Sequence, residues 1–202
     1  MRTNPLLDTY EWLFDLRWQA LLLWVLLIAS AFIAARNWRQ DPEQRSVAHV
    51  TIWGVRLLIG GMWYQASTWK LPLPFSDAFK HWLEQSGEHA SFQFLGDLVT
   101  EVMIPALPVV GTFIYFFELL MAVSLLLGLF VRPLALAAVG QSVFLWLTLY
   151  RAEAEWPWNY VFLTVVHILF IVIAAGRYLG ADALLRRGRD GEYEGGALRL
   201  VT

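Results

Sequence analysis

Seven side chains with chemical capability stand in or at the edges of otherwise apolar runs: Arg56, Gln65, Lys70, Glu118, Gln141, Asn159 and His167. Ionisable groups inside a bilayer are costly, so each needs a partner, a proton or a ligand. Glu118 and His167 are proton-handling types and are the candidate catalytic pair. Arg56 and Lys70 suit an anion, a lipid headgroup or a carbonyl oxygen, while Gln65, Gln141 and Asn159 supply amides that both donate and accept. Two readings stay open for this set. Its members lock the helices in register, with Glu118 paired to Arg56 or Lys70. Alternatively, they form a polar interior site in which a His/Glu proton path lies beside a small ligand such as a quinone, whose redox chemistry moves protons with electrons.

The elements that must position these groups follow from the composition. Of 202 residues, 58% are hydrophobic and only 16% charged, against about 25% charged in an ordinary soluble domain. The net charge of -2 excludes a basic nucleic-acid binder, and the apolar content excludes a disordered chain. The absence of cysteine excludes disulfides, thiolate metal sites and thiol relays on this chain. Eleven Trp and thirteen Phe suit a chain that meets a lipid interface.

Charges are clustered, and five long gaps separate them: Trp18–Ala35, Val50–Trp69, Val109–Val131, Pro133–Tyr150 and Tyr160–Ala175, the last needing to continue to about Tyr178 to match the others. At about 1.5 Å per residue, 18–23 residues cross the hydrocarbon core of roughly 30 Å. The sequence therefore predicts an all-α polytopic membrane bundle of five spans. Counting from the outer ends of their spans, Glu118 lies roughly 15 Å deep and His167 roughly 10 Å deep, with Gln141 near the midplane. With the N-terminus outside, the inner side holds nine arginines (36, 39, 45, 132, 177, 186, 187, 189 and 199) and the outer side five basic residues (2, 17, 70, 80 and 151). That excess orients the chain N-out and C-in in a cell (inner) membrane. A cleaved signal peptide ending at Ala29-Ser30-Ala31 is the competing reading of the first span; acids before the run and arginines after it favour a retained helix.

Between the spans, residues 70–104 form the one large extramembrane piece. Pro72 and Pro74 stop the preceding helix. Ser76 is a predicted cap for a short helix with Phe79, Trp82 and Leu83 on one face, ended by Gly87. Leu95, Leu98, Val99, Val102 and Met103 share a second face. Both helices are expected on the outer interface, as a cover over the bundle or a lid over an outward site. Gly128–Pro133 is an inner turn joining two antiparallel helices, Trp156–Asn159 an outer turn with interface anchors, and 186–202 a mobile Gly-rich tail. Gly54, Gly60 and Gly61 are expected to admit close helix packing. The four histidines lack ligand spacing, so no metal site is expected. Inverted repeats and paired broken helices, the marks of a transporter, are not seen.

Three stretches carry a family resemblance: Arg56-Leu-Leu-Ile-Gly60 running to Trp69-Lys70-Leu71; Glu118-Leu-Leu through Leu127-Gly128 to Arg132; and Asn159-Tyr160 followed by Gly176-Arg-Tyr-Leu-Gly-Ala-Asp182. Their order resembles the DoxX/DoxD family of small multi-pass membrane proteins over about residues 47–185. The resemblance implies a four-helix membrane core, with residues 1–46 as an added N-terminal transmembrane helix and inner linker. The DoxD branch implies the small subunit of a thiosulfate:quinone oxidoreductase, with quinone and a small sulfur anion as ligands and a redox partner subunit. Other members of the wider family act as non-catalytic membrane chaperones or assembly factors, which is the competing function.

Overall fold

A computed structural model describes residues 4–15, 17–153, 155–156, 158–187 and 202. Among these the regular structure is helical, with no strand. An N-terminal helix that the hydropathy pattern did not suggest, α1 (Pro5–Phe14), starts at Asn4, whose side-chain oxygen accepts from the Leu6 and Leu7 amides. Asn before Pro is a strong start signal. It is followed by α2 (Trp18–Gln40), α3 (Val47–Thr68), α4 (Asp77–Glu88), α5 (Gln93–Asp97), α6 (Leu107–Leu127), α7 (Val131–Leu149), α8 (Trp158–Ile173) and α9 (Ala181–Arg186). Three of them, α2, α6 and α7, are long and apolar enough to cross a membrane. α8 is apolar but has 16 residues. α3 has 22 residues, with His49 and Arg56 lowering its hydropathy.

The helices pair by packing more than by chain order. α6 lies chiefly along α3, and α7 along α8. Leu126, Met121 and Ala122 of α6 meet Trp63 and Tyr64 of α3 in a core that also takes Leu23 and Leu26 from α2. Gly60 permits the approach: a Cβ there would stand 3.0 Å from Leu126 Cγ and 3.1 Å from Leu125 Cβ. Gly54 and Gly61 do not share this role, because a Cβ at either would meet nothing within 4 Å. α2 is stitched on through polar side chains at small-residue crossings. Ser30 Oγ donates to the Leu126 carbonyl at 2.5 Å and accepts from Trp53 Nε1 at 3.1 Å, and Asn37 Nδ2 donates to the Gly180 carbonyl at 2.9 Å.

The α6–α7 turn is as tight as the sequence implied. Gly128 closes α6 in the left-handed region (φ 69°), a conformation that favours glycine. Arg56 and Gly180 crowd the same point. The segment between α3 and α6 departs from expectation in two places. α4 starts at Ser76, whose Oγ accepts from the Phe79 amide at 3.1 Å, but it runs past Gly87 to Glu88. Beyond α5 the chain adopts a π-helical turn over Leu98–Met103, with the Ile104 amide bonded to the Val99 carbonyl five residues back at 2.9 Å. A wider turn breaks the 3.6-residue register. So Leu95 and Val99 are buried as expected, while Leu98 and Val102 are exposed.

The last apolar run also stops early. α8 ends at Ile173, Ala174 takes a left-handed conformation (φ 52°), and Ala175–Arg177 form a 3-10 turn, so no helix continues to Tyr178. What halts it is a packed junction. Asp182 sits wholly buried over the start of α7, where its carboxylate accepts from the Phe130 and Val131 amides at 2.7 and 3.2 Å. Burial pushes this carboxyl above its ordinary value, against the pull of those amides and of Arg56 and Arg177. The expected tail at 186–202 lies outside the described residues except for Arg186, Arg187 and Thr202.

Candidate functional site

Lys70 follows the end of α3, where the Pro-rich segment turns the chain toward α4. Its ammonium donates to the Ala66 carbonyl at 2.8 Å and to Glu118 Oε2 on α6 at 2.5 Å. Both side chains are about 5% exposed. Gln141 of α7 reaches the other carboxylate oxygen, with Nε2 3.4 Å from Glu118 Oε1. Three elements distant in sequence therefore converge on one carboxylate. Of the two partners open to Glu118, the fold supplies Lys70. The ammonium also stands 4.4 Å from the Trp69 ring centre and 5.7 Å from that of Phe79, within cation–π range.

This charged pair forms part of the wall of a cleft of about 960 Å³ between the α3–α6 and α7–α8 pairs, roofed by α4. The volume lies in the range of ligand pockets. Lys70, Glu118 and Gln141 line it together with Asn159 at the start of α8. The remaining lining is largely aromatic and aliphatic, with Trp63, Trp69, Phe79, Trp82 and Phe144 among it. An apolar, ring-rich cleft with a few convergent polar groups can hold a flat apolar ligand and orient it by one or two hydrogen bonds.

His167 is elsewhere. It is wholly buried on α8 and does not line the cleft. Its Nδ1 lies 2.7 Å from the Leu163 carbonyl, which can only accept, so Nδ1 carries the proton. Nε2 then accepts from Trp63 Nε1 at 3.0 Å. Both ring nitrogens are thus engaged in the neutral tautomer, and no hydrogen bond among the described residues joins His167 to Glu118. Substituting Trp63 by Phe removes the donor that faces Nε2. An unsatisfied buried acceptor costs about 1–3 kcal/mol, so thermal unfolding of the Trp63→Phe variant in detergent should show a loss of that order.

The other two sequence candidates lie apart from this group. Arg56 is wholly buried on α3 beside Gly128 and Gly180, and Nη1 donates to the Ala175 carbonyl at 2.9 Å. It belongs with Asp182 in the junction beneath the α6–α7 turn rather than with the cleft. Gln65 is exposed and lines a smaller hollow of about 500 Å³ with Trp12, Asp15, Arg17, Gln19 and Thr68. Phe79 and Trp82, placed by their spacing on one face of the covering helix, do line the cleft. Missed by sequence reasoning were the other aromatic walls, Trp63 and Trp69, because aromatic residues are too numerous in that span for spacing to single them out. Among the described residues, no three His, Asp or Glu side chains gather as a metal site. Comparison of the chain with protein-family models, with curated proteins and with solved structures gives no match.

Proposed function

We propose that the chain is a quinone-binding membrane subunit of a redox system, with a DoxX/DoxD-like core. The observation that carries this reading is the buried Lys70–Glu118 pair with Gln141, set at the polar end of an aromatic cleft. A quinone ring fits between Trp and Phe side chains, and its carbonyl oxygen suits the Lys70 ammonium or the Gln141 amide as donor. Conversion of a quinone to a quinol takes up two electrons and two protons. Lys70 and Glu118 are the groups placed to pass protons to the ring oxygens. The electrons come from a donor, by this reading a small sulfur anion such as thiosulfate oxidised with a partner subunit, because this chain has no thiol to relay them. His167, held by Trp63 and Leu163, serves the bundle as a packing group.

The membrane arrangement within this reading has five spans, four of them the core (α3, α6, α7 and α8) and α2 the fifth. Three meet the length and apolarity of a span outright. α3 qualifies as the fourth because its one charged residue, Arg56, is wholly buried and does not face lipid. α8 covers roughly 24 Å, close to the hydrocarbon thickness, before the 3-10 turn begins. The arginine bias then places the N-terminus outside and the C-terminal end in the cytoplasm. The cleft, with Lys70 and α4, lies in the outer half.

A second reading has one specific observation in its favour. Lys70, Glu118 and Gln141 satisfy one another without a ligand, as a lock in a non-catalytic assembly protein would. The two separate in a binding and turnover test. Protein reconstituted in nanodiscs is titrated with a quinone while the fluorescence of the cleft tryptophans is followed, and thiosulfate-dependent quinone reduction is assayed alone and with candidate partner subunits. Saturable quenching, lost in a Lys70→Met/Glu118→Met double variant that remains folded, supports the quinone site. Absence of saturable binding, with none of the native quinone co-purifying, overturns it.

A further inference from the structure

The cleft has an apolar rim as well as a polar end. Met62 on α3, Val109 and Phe113 on α6 and Phe162 on α8 all line it, and they are 38%, 73%, 66% and 55% exposed. Val109 and Phe113 stand one turn apart on a helix long and apolar enough to cross a membrane. At the opposite side the lining is sealed. Phe79, Leu83 and Ser86 of α4 are buried over it, and the chain leading into α4 is pressed onto α6 at Gly111, where an added Cβ would strike the Pro74 carbonyl. The cleft is thus closed by protein on its α4 side and rimmed by exposed hydrocarbon on the surfaces of three apolar helices. A rim of that kind, in a helix wall that faces lipid, costs nothing to keep exposed and would be a liability in water.

From this we propose that the site admits its ligand sideways from the bilayer, and that the ligand is a membrane-resident amphiphile, a prenylated quinone, whose tail leaves the cleft across Met62, Val109, Phe113 and Phe162. This rests on the quinone reading and adds the ligand's tail and its route. The ring lies toward Lys70, Glu118 and Gln141, and the tail continues along surface that is already apolar, so the ligand never has to cross the α4 roof. The tail's contact with the rim distinguishes this ligand from a water-soluble quinone, which would need only the polar end.

The test uses the full chain in nanodiscs, with all ligand concentrations expressed per mole of lipid so that partitioning cancels. The probes are a tail-free benzoquinone, the same ring carrying a prenyl tail, and a spin-labelled fatty acid as an amphiphile without the ring. Each is titrated against wild type and against Val109→Trp, which bulks the rim without touching Lys70, Glu118 or Gln141. Wild type should bind the prenylated ring at least about threefold more tightly than the bare ring, since with partitioning cancelled the tail still gains packing contacts with the rim side chains. Val109→Trp should remove most of that advantage while lowering the affinity of the bare ring far less. Circular dichroism and thermal unfolding establish that the variant is folded, and Phe162→Ala, which trims the rim instead, gives a second, independent reading. Equal affinity for the two quinones, or equal loss for both in Val109→Trp, overturns the lateral route. Should neither quinone bind while the fatty acid binds in a rim-dependent way, the route stands and the quinone reading falls. Binding of none of the three overturns both.

Discussion

Replacing Glu118 by Ala is expected to destabilise the bundle by about 3–5 kcal/mol, because it strands the Lys70 ammonium in a site only about 5% exposed. Lys70→Ala should cost a similar amount for the mirror reason. Removing both charges at once is a different perturbation. In Lys70→Met/Glu118→Met the desolvation penalty of both ions disappears with their attraction, and exchange of a buried pair for apolar side chains of similar volume is often neutral or stabilising. The double variant should therefore unfold near the wild-type temperature, while each single variant unfolds well below it. The pair's function then reads out separately from its stability. If the pair is a lock, the double variant keeps whatever partner complex and turnover the wild type has. If it is the polar end of a quinone site, the double variant is folded and no longer binds. A double variant as unstable as either single one would show that the pair is worth more than its desolvation cost, against the argument made here. Gln141 contributes a weaker contact at 3.4 Å, so Gln141→Leu should move stability by no more than about 1 kcal/mol.

The second large effect is expected at the opposite end. Asp182→Ala leaves the Phe130 and Val131 amides, both at the start of α7, without acceptors inside a packed junction. At about 1–3 kcal/mol for an unsatisfied buried donor, and less for the part-buried Phe130 amide, the loss should reach roughly 2–5 kcal/mol. Asp182→Asn should be only partly milder. Burial disfavours the charged carboxylate there, but the two amides bond different oxygens, and Asn keeps one acceptor while its NH2 faces the other amide. Thermal unfolding of the two variants in the same detergent checks the order. An Asn variant as stable as wild type would show that a single acceptor is enough to hold the turn. The same experiment bears on Arg56, whose Nη1 bonds the Ala175 carbonyl while Nε and Nη2 face no hydrogen-bond partner among the described residues. Its role in this structure is to fill and polarise the junction between the α6–α7 turn and the chain after α8.

These two clusters also show how unevenly the sequence spoke. Arg56 and Lys70 flank the same predicted span and were equally eligible partners for Glu118. Hydropathy cannot rank them, because depth along a helix says nothing about its rotation or about which neighbour it packs on. α3 packs on α6 with Gly60 at the crossing, and that crossing puts Lys70, not Arg56, beside Glu118. Similar reasoning explains His167. Its depth is similar to that of Glu118 along the sequence, yet α8 turns it toward Trp63. Gln65, two residues from Trp63, lines the neighbouring smaller hollow and not the cleft.

What the sequence by itself determined is the helical class of the chain and its punctuation. Long uncharged runs read as helices, and three of them are long and apolar enough to cross a membrane. Ser76 and Gly128 start and stop helices by local capping that needs no tertiary information. The missing thiols are likewise final at the level of composition. Only the tertiary structure decided that α6 pairs with α3 and α7 with α8, that a π turn exposes Leu98 and Val102, and that α8 stops at Ile173. It also decided that four polar groups from four separate segments, Lys70, Glu118, Gln141 and Asn159, share one aromatic cleft. The physical reason is common to all of these. Local sequence sets which residues are helical, but the side-chain volumes at each crossing set which faces meet, and those volumes act between residues far apart in the chain.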